Sequence, residues 1–237
     1  MMSSSHAHHL KSVLTLSLIS ILFGAIAVVL TWIGNLNCQF VKFTTENTDE
    51  NYTIQFGIWY FQYWTAAASI DGTFIFESCH HYPSHTNSGE PIAPDIQWKT
   101  ARAFSILTFL FGISLFLYNI FLSCRAPTQR LFTSPLEGMG YLLASFCSGM
   151  TLILLDSQLC TDNVLMEGVK EAYPDLDWTE TCSISKGARS VITATVFYFL
   201  AGVASLQGYR MEVNEERDES GLSEPLFPEE NNGDNGN

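Results

Sequence analysis

The chain has 237 residues, of which 47% are hydrophobic and 15% charged, with a formal net charge of −13. Soluble globular domains carry about 25% charged residues, so the composition points away from that class. The acidic balance also argues against a nucleic-acid partner, because phosphate binding needs a basic surface.

The apolar residues gather into four runs, 13–33, 101–123, 136–156 and 188–209. Each is close to the roughly 20 residues that an α-helix needs to cross a hydrocarbon core about 30 Å thick. The expected fold is an all-α transmembrane four-helix bundle with the lipid bilayer as its solvent. In chain order, residues 1–12 read as a cytosolic leader, and His6, His8 and His9 read as part of an irregular terminus and not as a metal site. The first run contains Ala25-Ile26-Ala27, a small-x-small pattern like that of a cleaved signal. Apolar residues nevertheless continue to Ile33, beyond the roughly 7–15 residues of a secretory h-region, so the segment reads as an uncleaved helix.

Residues 34–100 form a long loop, and between Gly34 and Trp98 its acids, Glu46, Asp49, Glu50, Asp71, Glu77, Glu90 and Asp95, face the single base Lys42. Within it, Ile54, Phe56, Ile58, Tyr60 and Gln62 alternate with Gln55, Gly57, Trp59, Phe61 and Tyr63. Aromatic and β-branched types dominate, which predicts a strand. Asp71-Gly72 predicts a hairpin turn into a second strand at Thr73-Phe74-Ile75-Phe76. The remaining connections are a short loop at 124–135 and a longer one at 157–187. The tail, 210–237, sets nine acids against Arg210 and Arg217, and it is expected to be disordered, with Leu222, Pro225, Leu226 and Phe227 as a chance apolar cluster.

Arg125 and Arg130 in the loop at 124–135 place that loop in the cytoplasm by the positive-inside rule. Lys99, Arg102, Lys186 and Arg189 sit at the opposite helix ends, so cysteine chemistry carries more weight. Cys38 and Cys79 share the first long loop and Cys160 and Cys182 the second, and disulfides persist in oxidising surroundings. Four cysteines allow three pairings, and pairing within each loop is preferred because it needs no crossing. Cys124 and Cys147 are left as unpaired thiols. Asn51-Tyr52-Thr53 is an N-glycosylation sequon in the same loop as Cys38 and Cys79. These features put both long loops outside and both termini in the cytosol, most simply at the plasma membrane reached through the secretory pathway.

The ordered series Trp32, Gly57-Ile58-Trp59, Cys79, Tyr82 and Arg102 resembles the first extracellular segment of the claudins, peripheral myelin proteins and calcium-channel gamma subunits. The resemblance implies a small extracellular antiparallel β-sheet in the first loop, stapled by a disulfide, with an arginine where the sheet runs into helix two. The chain departs from the pattern at the approach to helix two, where Gln97 and Arg102 stand two residues further apart than in the family, and in three other places. Gln62 stands where the family has its first cysteine, which leaves Cys38 as the partner of Cys79; the pair Cys160 and Cys182 is not typical of claudins; and the C-terminal Asn235-Gly236-Asn237 lacks the apolar end that a PDZ groove binds. It is identified as a divergent member.

Physical chemistry gives these residues roles of their own. A sheet of two or three strands is marginal alone and needs a covalent staple and an apolar anchor, for which Trp59 is the candidate. Arg102 opens helix two, where the macrodipole disfavours a cation, so it should find a carboxylate or carbonyl. Asp156 is the expected ion-pair partner, Asp95 its rival, and snorkelling to headgroups the third possibility. His80, His81 and His85 lie beside Cys79, but a cysteine used in a disulfide is lost to zinc, so no metal is expected. Gly24, Ala27, Ser145, Gly149, Ala201 and Ser205 supply small residues for helix contact.

No ionisable residue stands at mid-helix, which argues against a transporter or pump, and no active-site motif is present, so neither catalysis nor a cofactor is expected. The resemblance implies work through protein contacts of the loops: adhesion, junction formation or membrane organisation, with homo- or hetero-oligomeric membrane partners. An accessory subunit of a channel or receptor is the alternative.

Overall fold

A computed structural model describes residues 4–46, 53–63, 78–85, 92–124, 135–161, 163–172 and 174–219. The protein is mostly helical. Four helices are long and apolar enough to span a membrane, over Leu14–Leu36, Ile96–Phe121, Pro135–Asp156 and Lys186–Asn214. They lie within α1 (Ser4–Leu36), α2 (Ile96–Cys124), α3 (Pro135–Met150) continued by a 3-10 turn (Thr151–Asp156), and a last long helix (Lys186–Glu219). Between the third and fourth spans come α4 (Gln158–Thr161) and α5 (Val164–Ala172), so the last helix is α6.

Two boundaries differ most from the sequence reading. α1 is helical from Ser4, inside the segment read as an irregular leader, and α6 runs on to Glu219, inside the segment read as a disordered tail. Neither stretch contains a Gly or Pro breaker, so a helix already nucleated by its apolar span extends at little further cost. The apolar patch around Leu226, the sequon asparagine Asn51, Arg125, Arg130, the Asp71-Gly72 turn and the strand expected at Thr73-Phe76 lie outside the described residues.

The strands are β1 (Val41–Glu46), β2 (Thr53–Phe56), β3 (Tyr60–Tyr63), β4 (Ser78–His81), β5 (Asp177–Trp178) and β6 (Ser183–Ile184). They form one antiparallel sheet in the order β4-β3-β2-β1-β5, with β6 also on β1. Val41 lies opposite Phe56 on one side and Ile184 on the other, while Thr45 lies opposite Trp178. The two loops therefore share one sheet. The second loop's strands are two residues each, too short to leave a periodicity in the sequence.

The run from Ile54 to Tyr63, read as one strand, is a tight hairpin. Phe56 pairs with Phe61, and the Gly57 amide donates to Tyr60 O (2.7 Å), so the chain reverses at Gly57-Ile58-Trp59. Alternation survived the reversal, which is why the pattern looked continuous.

Two cores result. One lies under the sheet, where Phe40, Val41, Phe43, Ile54, Phe56 and Ile58 meet Trp98 and Ala101 of α2, Leu154, and Ala188 and Val191 of α6. The other lies in the bundle around Ala27, Tyr141, Ala144, Tyr198 and Ala201. Small residues let the helices close: a Cβ on Gly24 would meet the Tyr141 ring, and one on Gly138 would meet Leu206 of α6. Polar side chains bind helix to helix, with Ser20 Oγ donating to Ala201 O (3.0 Å) and Ser145 Oγ to Thr195 O (2.9 Å). Leu14, Leu18 and Leu22, by contrast, form an exposed stripe at four-residue spacing, and Leu110, Leu117, Phe146, Val196 and Phe199 also point outward. Apolar outside with polar inside is the arrangement that lipid, not water, makes favourable.

Candidate functional site

The site expected around Gly57, Trp59, Tyr82 and Arg102 forms where the sheet sits on α2. Asp95 starts it as the N-cap of α2. Its Oδ1 accepts from the Trp98 backbone N–H (2.8 Å) and its Oδ2 from that of Gln158 (2.7 Å), which ties the first residue of α4 to the start of α2. Asp95→Ala is expected to cost about 0.5–2 kcal/mol, the usual range for a lost N-cap, read as a lower thermal midpoint in detergent; an unchanged midpoint would mean that solvent replaces both bonds.

One face of α2 then seats the β2–β3 turn. Trp98 and Arg102 are four residues apart, hence stacked on one side of the helix, and both reach one carbonyl. The Trp98 indole N–H and the Arg102 Nε–H each donate to Ile58 O at 3.0 Å. Three residues further on, Ser105 Oγ accepts from the Trp59 indole (3.3 Å). From the sheet side, the Tyr82 hydroxyl donates to Gly57 O (2.6 Å). All three residues of the turn are thus held through polar groups. Burial pushes the Tyr82 phenol well above its ordinary range, against the smaller opposing effects of Arg102 and the bond to Gly57, so it stays protonated as a donor.

The Arg102 guanidinium carbon stands 4.7 Å from the Trp98 ring centre, 5.2 Å from Trp59 and 5.7 Å from Tyr82. A carbonyl and three aromatic faces hold the cation, in place of the ion pair expected with Asp156. Asp156 is exposed, and Asp95 spends both oxygens on backbone amides. The physical reason is geometric: the planar guanidinium stacks on the ring faces while its Nε–H reaches the Ile58 carbonyl. Arg102→Gln removes both the stacking and a charge-assisted bond worth about 1.5–3 kcal/mol, so the sheet should melt at lower temperature; an unaltered melt would show that Trp98 alone holds the turn.

Trp59 is only partly buried, and Trp98, which the sequence reading did not single out, is the deeper anchor at 4% exposure. Its signal was available in the spacing Asp95-x-x-Trp98-x-x-x-Arg102, an N-cap followed by two large side chains on one helical face. Trp32 is half-exposed on α1 and packs on Phe109 of α2 (5.1 Å between ring centres), away from the turn.

Both disulfides lie within their loops. Cys38 is bonded to Cys79, joining the end of α1 to edge strand β4, and Cys160 to Cys182, joining α4 to the strand β6 approach. Cys147 is a buried free thiol, and the side chain of Cys124 is outside the described ones. His80, His81 and His85 are exposed, with His81 stacked on Tyr60 (4.6 Å). Among the described residues, no three His, Cys, Asp or Glu side chains converge as metal ligands. Glu167, Glu171, Asp175, Asp177 and Glu180 give the second loop an acidic surface.

Comparison with known family models and with curated proteins finds no match. The reading of function therefore rests on the molecule itself.

Proposed function

We propose that this is a divergent claudin-like membrane protein that acts through protein contacts of its two fused loops, in adhesion, junction formation or membrane organisation. The sheet would face the extracellular side of the plasma membrane, with both termini cytosolic. The observation that carries the reading is the disulfide-stapled sheet standing at one end of four apolar helices and bolted to α2 through Gly57, Ile58 and Trp59. Such a mounting holds a recognition surface at a set angle to the membrane. The departures also become intelligible. Gln62 lies directly opposite Cys79 across β3 and β4, so the family's cysteine at that position would face the same partner, which here is bonded to Cys38.

Expression in cells that do not adhere, followed by an aggregation assay, tests the proposal: clustering that depends on the protein is expected, and cells that stay dispersed would count against adhesion. Purification in mild detergent that brings down a larger channel polypeptide in fixed ratio would instead make the chain an accessory subunit.

A further inference from the structure

α1 and α6 run antiparallel in one unbroken register. Near the sheet, a Cβ on Gly34 of α1 would come within 2.8 Å of Gly187 O of α6. Further along, Ser20 Oγ donates to Ala201 O (3.0 Å). Gly34 and Ser20 are 14 residues apart, and so are Gly187 and Ala201. The two helices therefore touch at levels about 21 Å apart with no slip between them. Their axes stay together over that length.

The same register continues away from the sheet, because α1 starts at Ser4 and α6 ends at Glu219. His9 stands 11 residues before Ser20, and Glu212 stands 11 after Ala201; His6 and Glu215 stand 14 residues from the same two points. These offsets are about three and four helical turns. His6 and His9 thus fall on the side of α1 that carries Ser20, and Glu212 and Glu215 on the side of α6 that carries Ala201, each pair at matching levels. Glu212 is only 8% exposed. α3 begins at Pro135, three residues before the Gly138 whose Cβ would meet Leu206, and so stops short of Glu212, whereas α1 continues alongside. The side chains of His6, His9 and Glu215 are outside the described ones, and it is the backbone that fixes their level and face.

Two histidines three residues apart are neighbours on a helix, and so are two glutamates. Ligand pairs at that spacing on facing helices are how helical bundles assemble metal centres. Imidazole and carboxylate together suit zinc, which takes four nitrogen or oxygen ligands in a tetrahedron, and two carboxylates would balance its double charge. We propose that the α1–α6 pair takes up one divalent transition-metal ion, zinc above all, where His6 and His9 lie level with Glu215 and Glu212 at the end of the bundle away from the sheet. The ion would clip the start of the first helix to the end of the last.

The test uses the full chain in mild detergent, purified without a polyhistidine tag, stripped with a chelator and titrated with zinc alone. One equivalent is expected to bind, and hydrogen exchange of residues 4–12 is expected to slow several-fold. The double variant His6→Ala, His9→Ala keeps good helix formers in α1 and should bind at least about tenfold more weakly. A triple variant of the exposed His80, His81 and His85, each to Ala, should bind as the parent does. Undiminished affinity in the double variant, or a loss confined to the triple one, overturns the proposal. So does exchange at residues 4–12 that zinc leaves unchanged, the behaviour of direct imidazolium–carboxylate pairs.

Discussion

Replacing Cys38 and Cys79 together by serine is expected to cost the folded protein about 4 kcal/mol, the chain-entropy value for a bridge that closes a loop of this length; the two cysteines are 41 residues apart. The effect should be large because β4 is the edge strand: it pairs only with β3 among the described strands, and β3 has its main purchase through the β2–β3 turn. Without the bridge, β4 keeps the ladder to Tyr60–Tyr63 and the Tyr82 bond to Gly57 but no covalent tie to α1. Thermal unfolding in detergent, followed by near-ultraviolet circular dichroism of the aromatic cluster, should show the midpoint fall while the helical signal persists. A double variant that melts with the wild type would show that the junction on α2 is sufficient by itself.

The second large effect is expected at Gly57. A Cβ there would run into the backbone oxygen of Asn37 and come within 2.9 Å of both Cys38 Cα and Tyr60 O. All three obstacles are backbone, so no flexible side chain can swing aside. Gly57→Ala should cost about 3 kcal/mol, the upper end for overpacking, because relief means lifting the turn and with it Ile58 O from Trp98 and Arg102. Gly168 in α5 is the matched control. Nothing lies within 4 Å of a Cβ there, so Gly168→Ala should be mildly stabilising, by about 0.5–1 kcal/mol from helix propensity. If the two alanines shifted the melt alike, close packing would not be why position 57 is glycine.

Why some of this was readable beforehand and some not follows from how far apart the interacting residues are. The four spans were legible because crossing a membrane is a requirement on a contiguous segment, met or missed by its own length and polarity. The disulfides were legible because each pair shares a loop bounded by two spans, leaving little choice of partner. The turn at Gly57 was not, since the same alternation of aromatic and β-branched residues suits a long strand or a hairpin, and only the backbone of Asn37 and Cys38 decides between them.

The amino-acid order by itself therefore determined that this chain has four apolar helices, which cysteines could meet, and that a small sheet belongs between the first two. The tertiary structure alone decided that the second loop completes that sheet through β5 and β6, that Arg102 rests on Ile58 O and three rings and not on Asp156, and that Trp98 is the deep anchor. Those outcomes depend on contacts such as Ile58 with Arg102, 44 residues apart, and the energy of a carbonyl, a ring or a carboxylate as partner is set by burial and geometry that no local pattern encodes.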